Sequence, residues 1–258
     1  MDFVRFWWSR AYNRGEAIRS LEGGLRIGGL SGFGEFHSCA NFVTPDERAF
    51  LQKIPSVSGA IIDIGANLGI FSLILAQRCP ERDIYAFEPN PTTFEALRAN
   101  LMRNRAFNVR AYSQAVAAHE GSVAFEADPK NRATTSIARD GAATTSVTKQ
   151  VECVTIDGLM KAYGIGEISL LKVDVEGFED LVFRGAPQFL ADRRAKFIYY
   201  EICPSLARRA GFKPEAASER LLDYGYSLHT LDQSGHLRSA DVKDIASVQL
   251  ANWVATRE

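Results

Sequence analysis

The stretch Ile61-Ile62-Asp63-Ile64-Gly65-Ala66-Asn67-Leu68-Gly69, with Phe87-Glu88-Pro89-Asn90 downstream, constrains the fold more than any other part of the chain. An apolar, β-branched run ending in glycine reads as a strand buried on both faces and followed by a tight turn. Helical composition from Leu68 to Gln77, stopped by Pro80, and a second apolar run over 84–87 complete a strand–turn–helix–strand unit. Glu88 then sets a carboxylate at the rim where sheets of this kind hold nucleoside ligands.

The alternation continues. Thr44-Pro45-Asp46-Glu47 is a capping box with proline in the first turn, and it predicts a helix to about Lys53. Asn90-Pro91 predicts a second capped helix, running to about Arg103, and 109–117 reads as the third strand. Further strands are expected at 122–126, at 168–173 ending on Asp174, and at 196–202. The segments 226–231 and 248–254 read as closing strands, paired as an antiparallel hairpin at one sheet edge. Residues 128–149, rich in Thr, Ser, Ala and Gly, read as a long loop. Such an order gives an α/β fold, a doubly wound sheet with a largely parallel core. Residues 1–43 form an N-terminal extension or lid, where frequent glycines predict turns and short strands and no long helix. Residues 44–258 form the main domain.

A net charge of −1 gives no field that favours nucleic acid, and no basic stripe accompanies the crevice. Four scattered cysteines, at 39, 79, 153 and 203, form no CxxC pair, which argues against a zinc site or redox dithiol and for a reducing, cytoplasmic compartment. Phe3, Phe6, Trp7 and Trp8 are interrupted by Arg10 and Arg14, so the start neither spans a membrane nor serves as a secretory signal. These aromatics are expected to pack on the main domain, with an interfacial anchor or a partner-docking helix as the other reading. A homo-oligomer is compatible with the composition.

The identity of the ligand turns on one residue. A dinucleotide turn carries G-x-G-x-x-G, but here Asn67 stands where the second glycine would meet a pyrophosphate. Asp63, just before the turn, favours a cationic group. S-adenosylmethionine has a sulfonium and an amine and no phosphate, so it suits the turn better than NAD. The expected cofactor residues are Asp63, Gly65, Ala66, Asn67 and Gly69 in the turn, and Glu88 and Pro89 at the ribose. Ser113, Gln114 and Ala115 are expected at the adenine, with Ile70 and Phe87 flanking it.

A second cluster, Leu171-Lys172-Val173-Asp174-Val175-Glu176-Gly177-Phe178-Glu179, faces the same crevice. Alternation in an extended segment places Lys172, Asp174 and Glu176 on one face. Asp174, Glu176, Glu201 and Lys172 are the candidate catalytic residues, with Asp174 also near the cofactor. Two roles stay open for the carboxylates: a general base, or ligands to Mg²⁺. The metal is the less favoured reading, and no metal ligand is assigned. Tyr199, Tyr200, Tyr224 and His229 suit either a hydroxylated acceptor or packing.

With both clusters in place, the chain resembles the FkbM family of S-adenosylmethionine-dependent methyltransferases. The matching segments are 62–69, Ala86-Phe87-Glu88-Pro89-Asn90-Pro91, Ala115-Val116, 171–179, Gly185-Ala186 and Tyr200-Glu201. The resemblance implies a class I methyltransferase (Rossmann-like) fold, a seven-stranded sheet with an antiparallel last strand. It also implies methyl transfer, most often to a hydroxyl of a sugar or other small natural product. By that resemblance Asp63, Gly65 and Asn67 lie by the methionine part, Glu88 on the ribose, and Asp174 near the transferred methyl. The rivals are an NAD-dependent oxidoreductase and a scaffold that keeps the pocket without catalysis. The partner implied is a small-molecule acceptor bearing a hydroxyl, with no nucleic acid and no transmembrane segment.

Overall fold

Ile61, Ile62 and Ile64 are each at most 1% exposed, so β1 (Ala60–Ile64) lies inside the sheet, as its β-branched run requires. The computed structural model describes residues 1–13, 16–30, 32–127, 136–137 and 147–257. The other central strands are β2 (Ile84–Phe87), β3 (Val109–Tyr112), β4 (Ile168–Val173), β5 (Ala195–Ile202), β6 (Ser227–Leu231), β7 (Leu237–Ser239) and β8 (Ala251–Thr256). Their order is β7-β6-β8-β5-β4-β1-β2-β3. Strands β1 to β5 run parallel, and β8 runs antiparallel between β5 and β6. This is the class I methyltransferase arrangement, with its last strand reversed.

Two expectations about the sheet are corrected. Among the described residues it has eight strands, not seven. The additional strand follows a turn at Asp232, whose carboxylate accepts from the amides of Ser234 and His236 at 2.9 Å, so Leu237–Ser239 folds back on β6. In addition, β6 and β8 pair antiparallel as expected but not as a hairpin at the edge, because β7 lies outside β6 and β8 inserts beside β5.

The helices are α1 (Asp2–Tyr12), α2 (Phe33–Ser38), α3 (Pro45–Leu51), α4 (Ile70–Arg78), α5 (Pro91–Arg103), α6 (Ile156–Ala162), α7 (Glu179–Arg184), α8 (Pro187–Ala191), α9 (Pro204–Ala210) and α10 (Ala216–Asp223). Both capped starts hold: Thr44 and Glu47 form the capping box of α3, and Asn90 Oδ1 accepts from Thr92 N at 3.0 Å. Alternate strand residues feed two apolar layers. Ile62, Ile64, Val173 and Tyr200 pack with α6, α7, α8 and α10, while Ile61, Leu170 and Tyr199 pack with α3, α4 and α5.

The extension joins the second layer through Leu25, Ile27 and Phe36. Short strands are present as expected, at 19–20 and 26–27, and they pair antiparallel. The expectation of no long helix fails at α1, which runs for 11 residues. The glycines that suggested turns, at 23, 24, 28, 29, 32 and 34, all lie past this helix. Nor do all four aromatics pack: Phe6 is 4% exposed, but Phe3, Trp7 and Trp8 are more than half exposed.

The third strand also splits. Ala115–Val116 leaves the central sheet and pairs with Cys153–Val154 in a four-stranded sheet with 121–127, 136–137 and 147–154. Of the segment read as a loop, 147–149 belong to this sheet, 136–137 form its short strand, and 128–135 and 138–146 lie outside the described residues.

Candidate active site

The turn after β1 is held by the strand beside it. Gly65 N and Ala66 N both donate to Phe87 O, at 3.0 and 2.9 Å. Asn67 N donates to Glu88 Oε2 at 2.9 Å, and Asn90 N donates to Glu88 Oε1 at 2.9 Å. One buried carboxylate therefore clamps the turn to the end of β2. Burial raises the Glu88 pKa to about 7, and the two amide hydrogen bonds oppose that rise. Asn67 sits at φ +50°, a left-handed conformation that asparagine tolerates better than most residues. Its place in the motif thus has a backbone reason.

The glycines of this turn make room for protein. A Cβ on Gly65 (φ +76°) would lie 1.8 Å from the carbonyl oxygen of Asp174. One on Gly69 (φ +83°) would lie 2.5 Å from Leu97. The close approach expected of a ligand is here an approach of the second motif's backbone to the first.

Register brings the two motifs together. Lys172 on β4 is the neighbour of Asp63 on β1. Lys172 Nζ lies 3.1 Å from Asp63 Oδ1, 3.4 Å from Asp174 Oδ2 and 3.0 Å from Gly65 O, to which it donates. Burial alone would lower its pKa, but Asp63 and Asp174 outweigh that and raise it, so the ammonium stays charged. Asp63 is fully buried, and its other oxygen accepts from Ser72 Oγ at 2.6 Å. Lys172 and Asp63 together are a strut under the turn.

The expected alternation ends with β4 at Val173. Glu176 (φ +58°) and Gly177 (φ +96°) turn the chain, and a Cβ on Gly177 would strike Leu206 at 2.5 Å. Lys172 and Asp174 still face each other, whereas Glu176 is delivered by the turn. Glu179 holds this turn as Glu88 holds the first: its Oε1 accepts from Val175 N at 3.1 Å and Gly177 N at 3.2 Å. Burial lifts Glu179 to about 7 against those bonds.

Glu201, at the end of β5, completes an acidic group. Burial first, and then Asp174, Glu176 and Glu179, raise its pKa to about 9. Its Oε2 is buried without a hydrogen-bond partner. Burial and then Asp174 and Glu179 raise Glu176 to about 7, with Arg209 and Lys172 opposing. Among the described residues, no group of three or more His, Cys, Asp or Glu side chains is arranged to hold a metal ion.

Other expected residues scatter. Ser113 is exposed, Gln114 is half-buried with Oε1 unpartnered, and Ala115 is buried in the second sheet. Pro89 is half-buried between Glu88 and the Asn90 cap. Ile70 is buried at the start of α4. Phe87 is fully buried and stacks on Tyr112 with centroids 5.0 Å apart. Tyr199 donates to Glu47 at 2.5 Å, and Tyr200 shares a 2.7 Å hydrogen bond with Ser218, so both are packing residues. His229 lies on β6, with Nδ1 buried and unpartnered. The clamp role of Glu179 was missed, although a glutamate two places after a glycine at a helix start was there to read. Ser72 carried no signal in the sequence.

The model of the methyltransferase FkbM domain matches residues 63–228, which takes in both turns, the strut and the acidic group. The chain belongs to the FkbM methyltransferase family. Among its relatives is methyltransferase sdnD of Sordaria araneosa, 30% identical over 169 residues that cover 54% of this chain and 64% of that protein. Another is the hexuronic acid methyltransferase AglP of Haloferax volcanii, 29% identical over 161 residues, 62% of this chain and 59% of that protein. The chain thus spans less than two thirds of either relative's length. A crystal structure of an FkbM methyltransferase from Methylobacillus flagellatus aligns with a TM-score of 0.48 at 13% identity, over 78% of this chain and 44% of that one. The family match begins at Asp63, so the extension and α3 lie outside it.

Proposed function

We propose that this chain is an S-adenosylmethionine-dependent O-methyltransferase acting on a hydroxyl of a sugar or another small molecule. The observation that carries this reading is charge. Asp63, Asp174, Glu176, Glu179 and Glu201 crowd the facing ends of β1, β4 and β5, with Lys172 as the one buried cation among them. With Asp63 matched by Lys172 and Glu201 protonated, the remaining carboxylates still outnumber the cation, so such a site attracts a sulfonium and an amine and repels a pyrophosphate. It therefore disfavours NAD, and it favours a neutral hydroxyl over a carboxylate as acceptor. AglP is named for a hexuronic acid, a molecule that offers both groups.

The residues present fit the cofactor. Two acceptor positions of Glu88 are taken by the Asn67 and Asn90 amides, and a carboxylate has about four, so two remain for ribose hydroxyls. The unpartnered Gln114 Oε1 is an acceptor suited to the adenine amino group. S-adenosylmethionine, when bound, supplies a methyl group already activated on sulfur. The protein's part is then alignment and proton handling. Glu176, near neutral in pKa, takes the proton from the acceptor hydroxyl onto its carboxylate. Glu201, protonated at neutral pH, donates a hydrogen bond that orients the acceptor. Asp174 and Lys172 fix the turn that carries Glu176.

The extension reaches the outer side of the glycine turn at Asn67. A cavity of about 150 Å³ beside the glycine turn is lined by Leu30, Glu35 and Phe42 from the extension and by Asn67, Leu68 and Ile70. The test is methyl transfer from labelled S-adenosylmethionine across a panel of sugars and hydroxylated metabolites, with Glu176→Gln and Glu201→Gln alongside. Transfer to a hydroxyl, slowed at least about 100-fold in kcat by Glu176→Gln, is expected. Transfer only to carboxylates, or an unaffected Glu176→Gln, contradicts the assignment.

A further inference from the structure

Helix α1 presents two unlike faces. Phe6 points inward, 4% exposed, and meets Phe33 and Phe36 edge-on at 6.0 and 5.4 Å. Ser9, on the same side, accepts from Ile18 N and donates to Ile18 O, at 2.7 and 2.8 Å. Phe3, Val4, Trp7 and Trp8 project the other way, 58%, 58%, 53% and 73% exposed. At 3.6 residues per turn these four occupy one continuous arc. Phe33 of α2, 37% exposed and 5.4 Å from the Phe3 ring, widens it.

The borders of this arc are basic. Arg5 lies along one edge with its side chain 66% exposed, and Arg10 along the other, its guanidinium 5.9 Å from the Trp7 ring. The helix's acid, Asp2, is turned toward Arg19 at 2.9 Å and His37 at 3.0 Å, and Arg5 reaches it only at 3.7 Å. An outward apolar face that carries two tryptophans and has arginines on both flanks matches the boundary between acyl chains and anionic headgroups. Tryptophan favours that boundary because its ring is apolar and its N–H is polar.

We propose that α1 docks this protein on an anionic bilayer surface, lying flat in the headgroup layer. At about 16 Å the helix is too short to span a hydrocarbon core of about 30 Å. No helix among the described residues is long and apolar enough to cross a membrane, so the contact is peripheral. A second copy fits the face less well: a twofold pairing would bring the arginine borders together while Asp2 stays turned inward. The docked face belongs to the same extension that walls the cavity beside the glycine turn. The proposal stands apart from the choice of reaction.

The three tryptophans make the test direct. Trp253 is 1% exposed in the core, so any change in emission on lipid addition reports Trp7 and Trp8. The full chain is floated with vesicles of phosphatidylcholine alone and of phosphatidylcholine with phosphatidylglycerol. Flotation with the anionic vesicles, a blue shift in emission and weakening by salt are expected. Val4→Ser/Trp8→Ser and, separately, Arg5→Glu are expected to weaken partitioning at least about tenfold, with the thermal midpoint unchanged because all three side chains are exposed. Three results overturn the proposal: no flotation, equal flotation of wild type and variants, or a dimer lost in Val4→Ser/Trp8→Ser from a protein that ignores lipid.

Discussion

Replacing Lys172 with methionine keeps the stem and removes the charge. Lys172 is 3% exposed and Asp63 is fully buried, and the ammonium also bonds Gly65 O at 3.0 Å. Without it, Asp63 keeps only Ser72 and stands as an uncompensated charge in the sheet. Removing one partner of a buried pair costs about 3–5 kcal/mol, a large part of a total stability of about 5–15 kcal/mol. At about 2–4 °C per kcal/mol for a chain of this size, the thermal midpoint should fall by about 6–20 °C. Asp174→Asn should cost far less, about 1 kcal/mol, because the Asp174 side chain is 24% exposed and water can replace its partner. Asp63→Asn added to Lys172→Met removes the stranded charge, so the double variant should be more stable than the sum of the single losses by at least about 1 kcal/mol. Urea unfolding, with slopes compared across the set, measures all five proteins: wild type, Lys172→Met, Asp63→Asn, their double variant and Asp174→Asn. A loss below about 1 kcal/mol for Lys172→Met, or strict additivity with Asp63→Asn, would refute the strut.

Other expectations follow from the same geometry. Gly65→Ala must push the Asp174 carbonyl aside at a left-handed φ, and should cost at least about 2 kcal/mol in urea unfolding; a neutral substitution would show that the two turns do not pack as described. Stability should also fall as pH rises. Glu88, Glu176 and Glu179 have folded-state pKa values raised from 4.5 to about 7, and Glu201 to about 9. The folded chain therefore binds more protons than the unfolded one across that range, and the contribution is complete below 4.5 and lost on rising through 7 to 9. The urea midpoint should be higher at mildly acidic than at mildly alkaline pH, and the opposite trend would remove these carboxyls as the controlling groups. Finally, a cationic ligand beside Glu176 and Glu201 lowers their raised pKa values, so S-adenosylmethionine should release protons on binding near neutral pH, read as a buffer-dependent binding enthalpy. Proton uptake would place its positive charge elsewhere.

The sheet was legible because its strands are apolar and its caps conventional. Ile61–Ile64 and Leu170–Val173 could hardly be anything but central strands, and Asn90-Pro91 announces its helix. Glu88 and the 171–179 cluster stood out in the sequence because carboxylates at strand ends contrast with apolar runs, and the structure brings both to neighbouring strand ends. Partnership was much less legible. Nothing local says that the Cβ space of Gly65 is taken by Asp174, more than a hundred residues on, or that Glu88 and Glu179 each clamp a turn. The Ser113-Gln114 break was read as a continuous strand because its flanks are apolar, yet it is where the chain crosses to the second sheet. In α1 the aromatic count suggested packing, but of Phe3, Phe6, Trp7 and Trp8 only Phe6 points inward. Which side of a short helix meets the core depends on how α2 lies against it.

The central claim is that the two turns and their acidic rim hold S-adenosylmethionine with Glu88 at the ribose. Calorimetric titration of the full chain with S-adenosylhomocysteine and with NAD, on wild type and Glu88→Ala, tests it most directly. The account predicts saturable binding of S-adenosylhomocysteine, weakened by at least about tenfold in Glu88→Ala through loss of charge-assisted hydrogen bonds, and no measurable binding of NAD. Tight binding of NAD, or unchanged affinity for S-adenosylhomocysteine in a folded Glu88→Ala, would contradict it.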